Sequence, residues 1–185
     1  MNNTDMLLVQ ETLNTLVGCT LSEMNRTNEM LLLTFAEPAG LGQESREHVL
    51  RLQCYYRFVQ DGRMVFAHSD YFQPSEKMWQ LWQAQGYEED FIPEDYRCDD
   101  EGANRLDDRI AEMNALLLAS AYRVCTVMVD SIGDVTMCFD NGAVLSVLVD
   151  TSGGEECWRH FPPEENKPQL VIYSDGVEYE EDNEP

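Results

Sequence analysis

Basic residues are scarce in this chain of 185 residues. It has 12 lysines and arginines against 35 aspartates and glutamates, which gives a formal net charge of −23. A protein with such a field repels phosphate backbones and anionic membrane surfaces, and it attracts basic proteins. The charge balance therefore argues against nucleic acid and membranes as partners and favours a basic protein partner.

Long hydrophobic runs and targeting signals are also missing. The first five residues carry no base, and the apolar run 6–9 is far shorter than a signal-peptide core or a membrane span. The six cysteines include no C-x-x-C pair, so we interpret them as the reduced thiols of a cytosolic protein. We expect a cytoplasmic protein with no membrane association.

Motifs of common active sites are absent as well. The chain has no G-x-S-x-G, no phosphate-binding glycine loop and no H-E-x-x-H. His48, His68 and His160 lack helical i, i+4 spacing and do not predict a metal site. Asp150 with 165–167 has the spacing of a metal-nuclease signature, but flanking prolines place that triplet in a loop. We therefore expect no enzymatic activity, no cofactor and no metal.

What the chain does have is an internal repeat. Three segments, 31–35, 54–58 and 69–70, are echoed in the same order about a hundred residues later, at offsets of 104, 103 and 105 residues, by 135–139, 157–161 and 174–175. The first two pairs are rich in apolar and aromatic strand formers, and turn dipeptides separate the predicted strands. We predict an α+β fold whose antiparallel β sheets come from two similar halves with one core.

Helical periodicity and capping residues organise the rest of the chain. They predict an N-terminal helix over 4–17 and two further helices over 76–85 and 104–120. The predicted organisation is one domain, 1–185, which comprises a first β unit (18–74), a helical acidic insert (75–121), a second β unit (122–177) and an acidic tail (178–185).

A hairpin is predicted around Asp61-Gly62, a dipeptide typical of two-residue turns. Strands over 48–60 and 63–70 then pair so that Phe58 lies opposite Val65. One face of this hairpin is apolar and is predicted to be core. The other face is mixed and carries Tyr55, Arg57, His68 and Asp70.

Arg57 and Arg159 belong to the repeated segments, and each follows a cysteine and aromatic residues. A guanidinium in this setting fastens a sheet edge or binds an anion. Arg57 lies three positions after Cys54, whereas Arg159 lies two after Cys157. Alternation therefore places the two arginines on different faces unless a bulge intervenes.

Two hypotheses about function follow from these patterns. The leading one is a non-enzymatic binding protein that engages a basic protein, such as a toxin domain, through an acidic surface. That surface consists of eight clustered acids: Glu88, Glu89, Asp90, Glu94, Asp95, Asp99, Asp100 and Glu101. The alternative is a small-ligand site or enzyme on the mixed hairpin face, where Arg57 holds an anion and His68 transfers protons.

The chain also resembles an uncharacterised family of small bacterial proteins. The marks of that family are an L-H-I-Q-C-x-W-R strand, a following S-x-D, and later G-D-L and W-R elements. They correspond here to 50–57, Ser69-Asp70, 133–135 and 156–159, with Arg51 in place of the usual histidine and Tyr56 in place of the usual tryptophan. The resemblance implies a single-domain cytoplasmic protein, and some members resemble immunity proteins of bacterial toxin systems.

Overall fold

The computed structural model describes residues 2–40, 45–88, 91–164 and 166–180. Within these ranges the chain forms helices and strands in the following order: α1 (Asn3–Leu13), a 3₁₀ turn (Asn14–Leu16), β1 (Thr20–Thr27), β2 (Met30–Ala36), β3 (Glu47–Leu52), β4 (Tyr55–Gln60), β5 (Arg63–Ala67), a second 3₁₀ turn (His68–Phe72), α2 (Glu76–Ala84), α3 (Arg105–Ala119), β6 (Val124–Val129), β7 (Val135–Phe139), β8 (Val144–Leu148), β9 (Glu156–Phe161), β10 (Gln169–Tyr173) and β11 (Val177–Glu180).

The strands form two antiparallel sheets. The six-stranded sheet has the order β1-β2-β3-β9-β10-β11, and the five-stranded sheet has the order β5-β4-β8-β7-β6. This architecture confirms the predicted α+β class, the antiparallel pairing, the N-terminal helix and the helices between the two groups of strands.

Helix ends follow the local sequence. Side chains of Asn2, Ser75 and Asn104 cap the starts of the three helices by accepting backbone N–H groups. Gly18 and Gly86 have positive φ angles of 93° and 88° after α1 and α2, where the left-handed conformation ends a helix at little cost. The first helix ends at Leu13, earlier than predicted, because its last turn tightens into a 3₁₀ turn.

Each half of the chain contributes a helix, a three-stranded meander and a hairpin. The meander β1-β2-β3 lies in the six-stranded sheet, but its hairpin β4-β5 joins the second meander in the five-stranded sheet. The hairpin β9-β10 makes the reciprocal exchange, so that β3 pairs with β9 and β4 pairs with β8. The two halves are therefore interleaved and share both sheets.

The contact between β1 and β6 has the reciprocity of a twofold axis. Leu21 N donates to Tyr122 O at 2.9 Å, and Val124 N donates to Cys19 O at 2.9 Å. In each pair of related residues the second follows the first by 103 positions. β1 and β6 also share a bulge, which begins at Leu21 in one strand and at Val124 in the other. Corresponding residues of the two halves thus meet each other, as in a symmetric dimer.

A pair of amide side chains extends the repeat to the helices. Gln10 of α1 donates to Val127 O and accepts from Val129 N of β6, both at 2.9 Å. Asn114 of α3 donates to Met24 O and accepts from Met24 N of β1, both at 2.8 Å. Each amide therefore pairs with the backbone of the opposite half's edge strand. The helix α3 takes in the second half the place that α1 takes in the first.

The helical insert predicted over 75–121 accordingly has two parts. One is α3, which belongs to the repeat. The other is 75–104, which together with residues 73 and 74 forms a segment between β5 and α3 that contains α2 and the acidic residues; the second half has no such segment and continues from β10 into β11. We call 73–104 the acidic segment.

Replacement of Asn114 by alanine leaves the N–H and C=O groups of buried Met24 without this partner. We expect a loss of about 1–3 kcal/mol in the free energy of unfolding. Glu112→Ala on the same helix is the control, because its exposed ion pair with Arg109 contributes little. Urea denaturation of both variants measures the difference. Equal stabilities would contradict the proposed role of the amide.

One apolar cluster fills the space between the sheets and reaches α1 and α3. Its largest fully buried member is Trp158, whose indole N–H donates to Gly133 O at 3.0 Å. Burial of such side chains is the main source of folding free energy. Both halves of the repeat contribute to this cluster.

Two local predictions about the first hairpin were wrong. The run 48–60 is not one strand, because Gln53 N and Cys54 N both donate to Cys157 O, at 2.8 and 3.0 Å, and the chain crosses between sheets there. The Asp61-Gly62 turn is present, with φ angles of 51° and 71°. A bulge beyond it places Phe58 opposite Phe66 and turns Phe66 into the core in place of Val65.

Candidate functional site

The predicted acidic surface lies in the acidic segment, between α2 and α3. Six of its eight acids are described by the structure, and all six are exposed: Glu88, Glu94, Asp95, Asp99, Asp100 and Glu101. Glu89 and Asp90 lie outside the described residues. The carboxylates of the described acids are therefore accessible to a partner.

Both ends of the acidic segment are joined at its base. Ser75 N donates to Ala103 O at 2.8 Å, and Arg105 N donates to Gln73 O at 2.7 Å. The buried amide of Asn104 also donates to Cys98 O at 2.7 Å. The first and last residues of the acidic segment therefore lie next to each other, where the segment connects to the rest of the fold.

Arg26 of β1 holds the end of the acidic segment. Its side chain is only 9% exposed and forms an ion pair with Asp107 in the first turn of α3. The same guanidinium donates to Asp100 O at 3.2 Å. Its hydrogen bond with Asp107 raises the pKa of Arg26. Arg26 therefore stays charged and ties the segment to both β1 and α3.

A second attachment joins Tyr71 and Asp99. The buried phenol donates to the Asp99 carboxylate at 2.5 Å, and this hydrogen bond lowers the pKa of Asp99. Because hydrogen bonding favours the charged form, Asp99 stays ionised and fixed in orientation. Asp99 and Glu101 also line a groove of about 600 Å³ that runs along α3.

Apolar side chains lie among the acids. Trp82 is 5% exposed, and its ring centroid lies 5.5 Å from those of Trp79 and Tyr96. These rings form a small apolar centre for the segment. Other large apolar residues of the segment are 40–48% exposed: Leu81, Tyr87, Phe91 and Ile92. The segment therefore presents carboxylates and apolar groups on the same surface.

The alternative site is divided by the hairpin bulge. His68 points inward, is 8% exposed, and its ring lies 4.8 Å from the Tyr55 ring and 5.4 Å from the Tyr56 ring. Burial lowers the pKa of His68, and its Nδ1 atom has no hydrogen-bond partner in the described part of the chain. This histidine is neutral and shielded from solvent.

Tyr55 contacts His68, but Arg57 and Asp70 have different surroundings. Tyr55 and Arg57 are exposed on the outer face of the five-stranded sheet, and Arg57 forms no ion pair with a described residue. Asp70 accepts a hydrogen bond from Ala67 N at 2.9 Å and lies 3.7 Å from Arg105. The four side chains do not converge on one open cavity.

The repeated arginines lie on the outer faces of their sheets, because the crossing at Gln53 and Cys54 absorbs the extra residue. Arg159 is 14% exposed and contacts Glu156 and Glu180, each at 2.7 Å. Arg159 therefore fastens strands β9 and β11. Arg57 has no such network with the residues that the structure describes.

A buried histidine pair connects β3 and β9. Nδ1 of His48 lies 3.0 Å from Nε2 of His160, and Nε2 of His48 lies 3.3 Å from Oε1 of Glu37. Burial lowers the pKa of His160 to about 3 and lowers that of His48 as well. Both rings are therefore neutral, and one of them donates its N–H group to the ring nitrogen of the other inside the core.

In residues 2–40, 45–88, 91–164 and 166–180, no three His, Cys, Asp or Glu side chains form a group suited to a metal ion.

The low pKa of His160 makes stability depend on pH. The contribution of this histidine is complete above about pH 6.5 and is lost as the pH falls towards about 3, because the unfolded chain binds the proton first. Between about pH 6.5 and pH 5 we expect wild type to lose about 2 kcal/mol relative to His160→Gln. Urea denaturation across this range measures the difference. Parallel pH profiles would contradict a buried neutral His160.

No helix in the described part of the chain is both long enough and apolar enough to cross a membrane. No protein-family model matches the sequence, and no curated protein or solved structure is significantly similar to it.

Proposed function

We propose that this protein is a non-enzymatic binding protein whose acidic segment engages a basic protein. The observation that carries the proposal is the asymmetry of the fold. Two interleaved halves repeat a helix, a meander and a hairpin, and the long segment that joins the two halves holds the clustered acids. A long joining segment that the repeat does not account for, and in which exposed acids are clustered, is the natural place for recognition.

The geometry of the segment suits protein recognition. Its carboxylates are exposed, while Arg26 and Tyr71 hold the end of the segment in place. Exposed carboxylates accelerate encounters with a basic partner, and fixed ones lose little freedom on binding. The interspersed apolar residues supply contacts that exclude water, as the centre of a stable interface requires.

The finer proposal is an immunity-type protein that binds a toxin domain. It rests on the resemblance to the bacterial family and on the charge of −23. The gene next to this one is the direct check. A basic polymorphic toxin encoded there would support the immunity role, and its absence would leave only the general binding role.

Two variants of equal charge test the site. In the segment variant, the eight clustered acids become amides. In the scaffold variant, eight exposed acids elsewhere become amides: Glu11, Glu23, Glu29, Glu47, Asp61, Asp140, Asp150 and Asp175. Each variant changes the net charge from −23 to −15 through the loss of eight carboxylates.

Affinity capture from an extract of the source cells, followed by quantitative mass spectrometry, compares these variants with wild type. We expect wild type and the scaffold variant to retain the same basic protein, and the segment variant to lose it. Equal retention of that protein by the two variants would contradict the role of the acidic segment.

A further inference from the structure

No helix of the described residues spans the outer face of the five-stranded sheet, and the five strands of this sheet contain no acid. The helices contact this sheet at its edge strands β5 and β6. The outward positions on β4, β6, β7 and β8 are occupied by tyrosine, valine, leucine, serine, threonine, cysteine, methionine and one arginine, Arg57. Tyr55 and Met128 on this face are each 52% exposed. The outer face of an antiparallel sheet in water is usually polar, and here Arg57 is the only charged residue on these four strands.

The six-stranded sheet provides an internal comparison. Its outer face carries a charge network in which Glu156 contacts Arg51 and Arg159, and Glu180 also contacts Arg159. Arg57 is the counterpart of Arg159 in the repeat, yet Arg57 has no ion pair with a described residue. The fold therefore accommodates acids on the outer face of a sheet, and their absence is specific to the five-stranded sheet.

We infer that this face binds a second copy of the chain, so that two five-stranded sheets pack against each other across a twofold axis. Two chains with a charge of −23 repel each other, and this face is where approach costs least. A sheet face with a single charged residue can pair with its own copy across a twofold axis, and paired sheets pack about 10 Å apart.

A basic protein does not fit this face equally well. Its charge directs it to the carboxylates of the acidic segment, whereas the outer face of the five-stranded sheet presents only a cation. The second copy therefore occupies a surface separate from the one used in the proposed function.

The size of the face sets the strength of the dimer. Five strands spaced about 4.8 Å apart and about 20 Å long present roughly 450–500 Å² per chain. Two such faces bury roughly 1,000 Å², the lower limit for a specific interface. The dimer is therefore expected to depend on protein concentration.

Salt distinguishes this dimer from binding to a basic partner. Added salt screens the repulsion between two acidic chains and strengthens the dimer. The same salt weakens the attraction between the acidic segment and a basic protein. The two interactions are expected to respond to ionic strength with opposite signs.

Sedimentation equilibrium in reducing buffer, over a wide range of protein concentration and at two salt concentrations, tests the inference. Val144→Asp places a carboxylate on this face at the start of the central strand β8, between Val59 and Cys138. Val49→Asp is the matched control, because Val49 occupies the corresponding position on β3 between Thr34 and Phe161. Met128→Asp is a second variant on the exposed edge of the face, where folding tolerates a charge.

We expect wild type and Val49→Asp to dimerise with rising concentration, more strongly at high salt. Val144→Asp and Met128→Asp should raise the dimer dissociation constant by roughly tenfold or more. Circular dichroism confirms that each variant is folded. A monomeric wild type at every concentration would overturn the inference, as would a dimer that Val49→Asp disrupts and Met128→Asp does not.

Discussion

Conversion of the eight clustered acids to amides is expected to lower the rate of association with the basic partner by about 10- to 100-fold at low salt. The reason is electrostatic steering, because the six described carboxylates are exposed on one segment and attract an approaching cationic surface. The scaffold variant has the same net charge, but its amides are spread over the molecule. Its association rate should fall by only a small factor. Surface plasmon resonance with the captured protein measures both rates.

The salt dependence of the same rates provides a further check. Attraction between exposed charges is screened within about 10 Å at 0.1 M salt. The rates of wild type and the segment variant should therefore converge as salt increases. Rates that differ by the same factor at all salt concentrations would contradict electrostatic steering by the acidic segment.

Replacement of Arg26 by alanine should lower the free energy of unfolding by about 3 kcal/mol. The substitution removes a side chain that is 9% exposed and leaves Asp107, 18% exposed, without its cation. It also removes the hydrogen bond from Arg26 to Asp100 O. We therefore expect faster amide hydrogen exchange over 98–104, which measures the release of this part of the segment.

Arg109→Ala is the matched control for Arg26→Ala. Arg109 also pairs with an acid of α3, Glu112, but the two side chains are 37% and 59% exposed. Exposed pairs contribute about 0–1 kcal/mol. Equal losses of stability in the two variants, or unchanged exchange over 98–104 in Arg26→Ala, would show that Arg26 does not hold the segment.

The sequence contains enough information to predict the repeat but not its interleaving. The echo of 31–35 in 135–139 marks β2 and β7, which hold equivalent places in the two meanders. The crossing at Gln53 and Cys54 leaves no such mark, because neither residue is a glycine or a proline and the apolar alternation continues through it. A change of sheet in the middle of an alternating run is determined by tertiary contacts.

The predicted register of the first hairpin illustrates a second limit. The Asp61-Gly62 turn is predictable because only a few dipeptides adopt positive φ angles readily. The bulge beyond Val59 is not, because it depends on which of Val65 and Phe66 fills the core better. This one-residue shift turned His68 inward and separated it from Arg57.

The exposure of the acidic segment was predictable from charge, and its attachment was not. Carboxylates without bases nearby stay in water because burial of an unpaired charge is costly. The residues that hold the segment, Arg26 and Tyr71, are distant in sequence from Asp107 and Asp99, their partners in the structure. Pairs separated by so many residues produce no local pattern in a single sequence.

Excision of the acidic segment tests the central claim most directly. Because Ser75 N bonds Ala103 O at the base of the segment, a short glycine and serine turn can replace 76–102 without spanning a gap. The shortened protein is predicted to keep a cooperative unfolding transition and to lose its affinity for the captured basic protein. Retention of that affinity by the shortened protein would contradict the claim that the segment joining the two halves is the binding element.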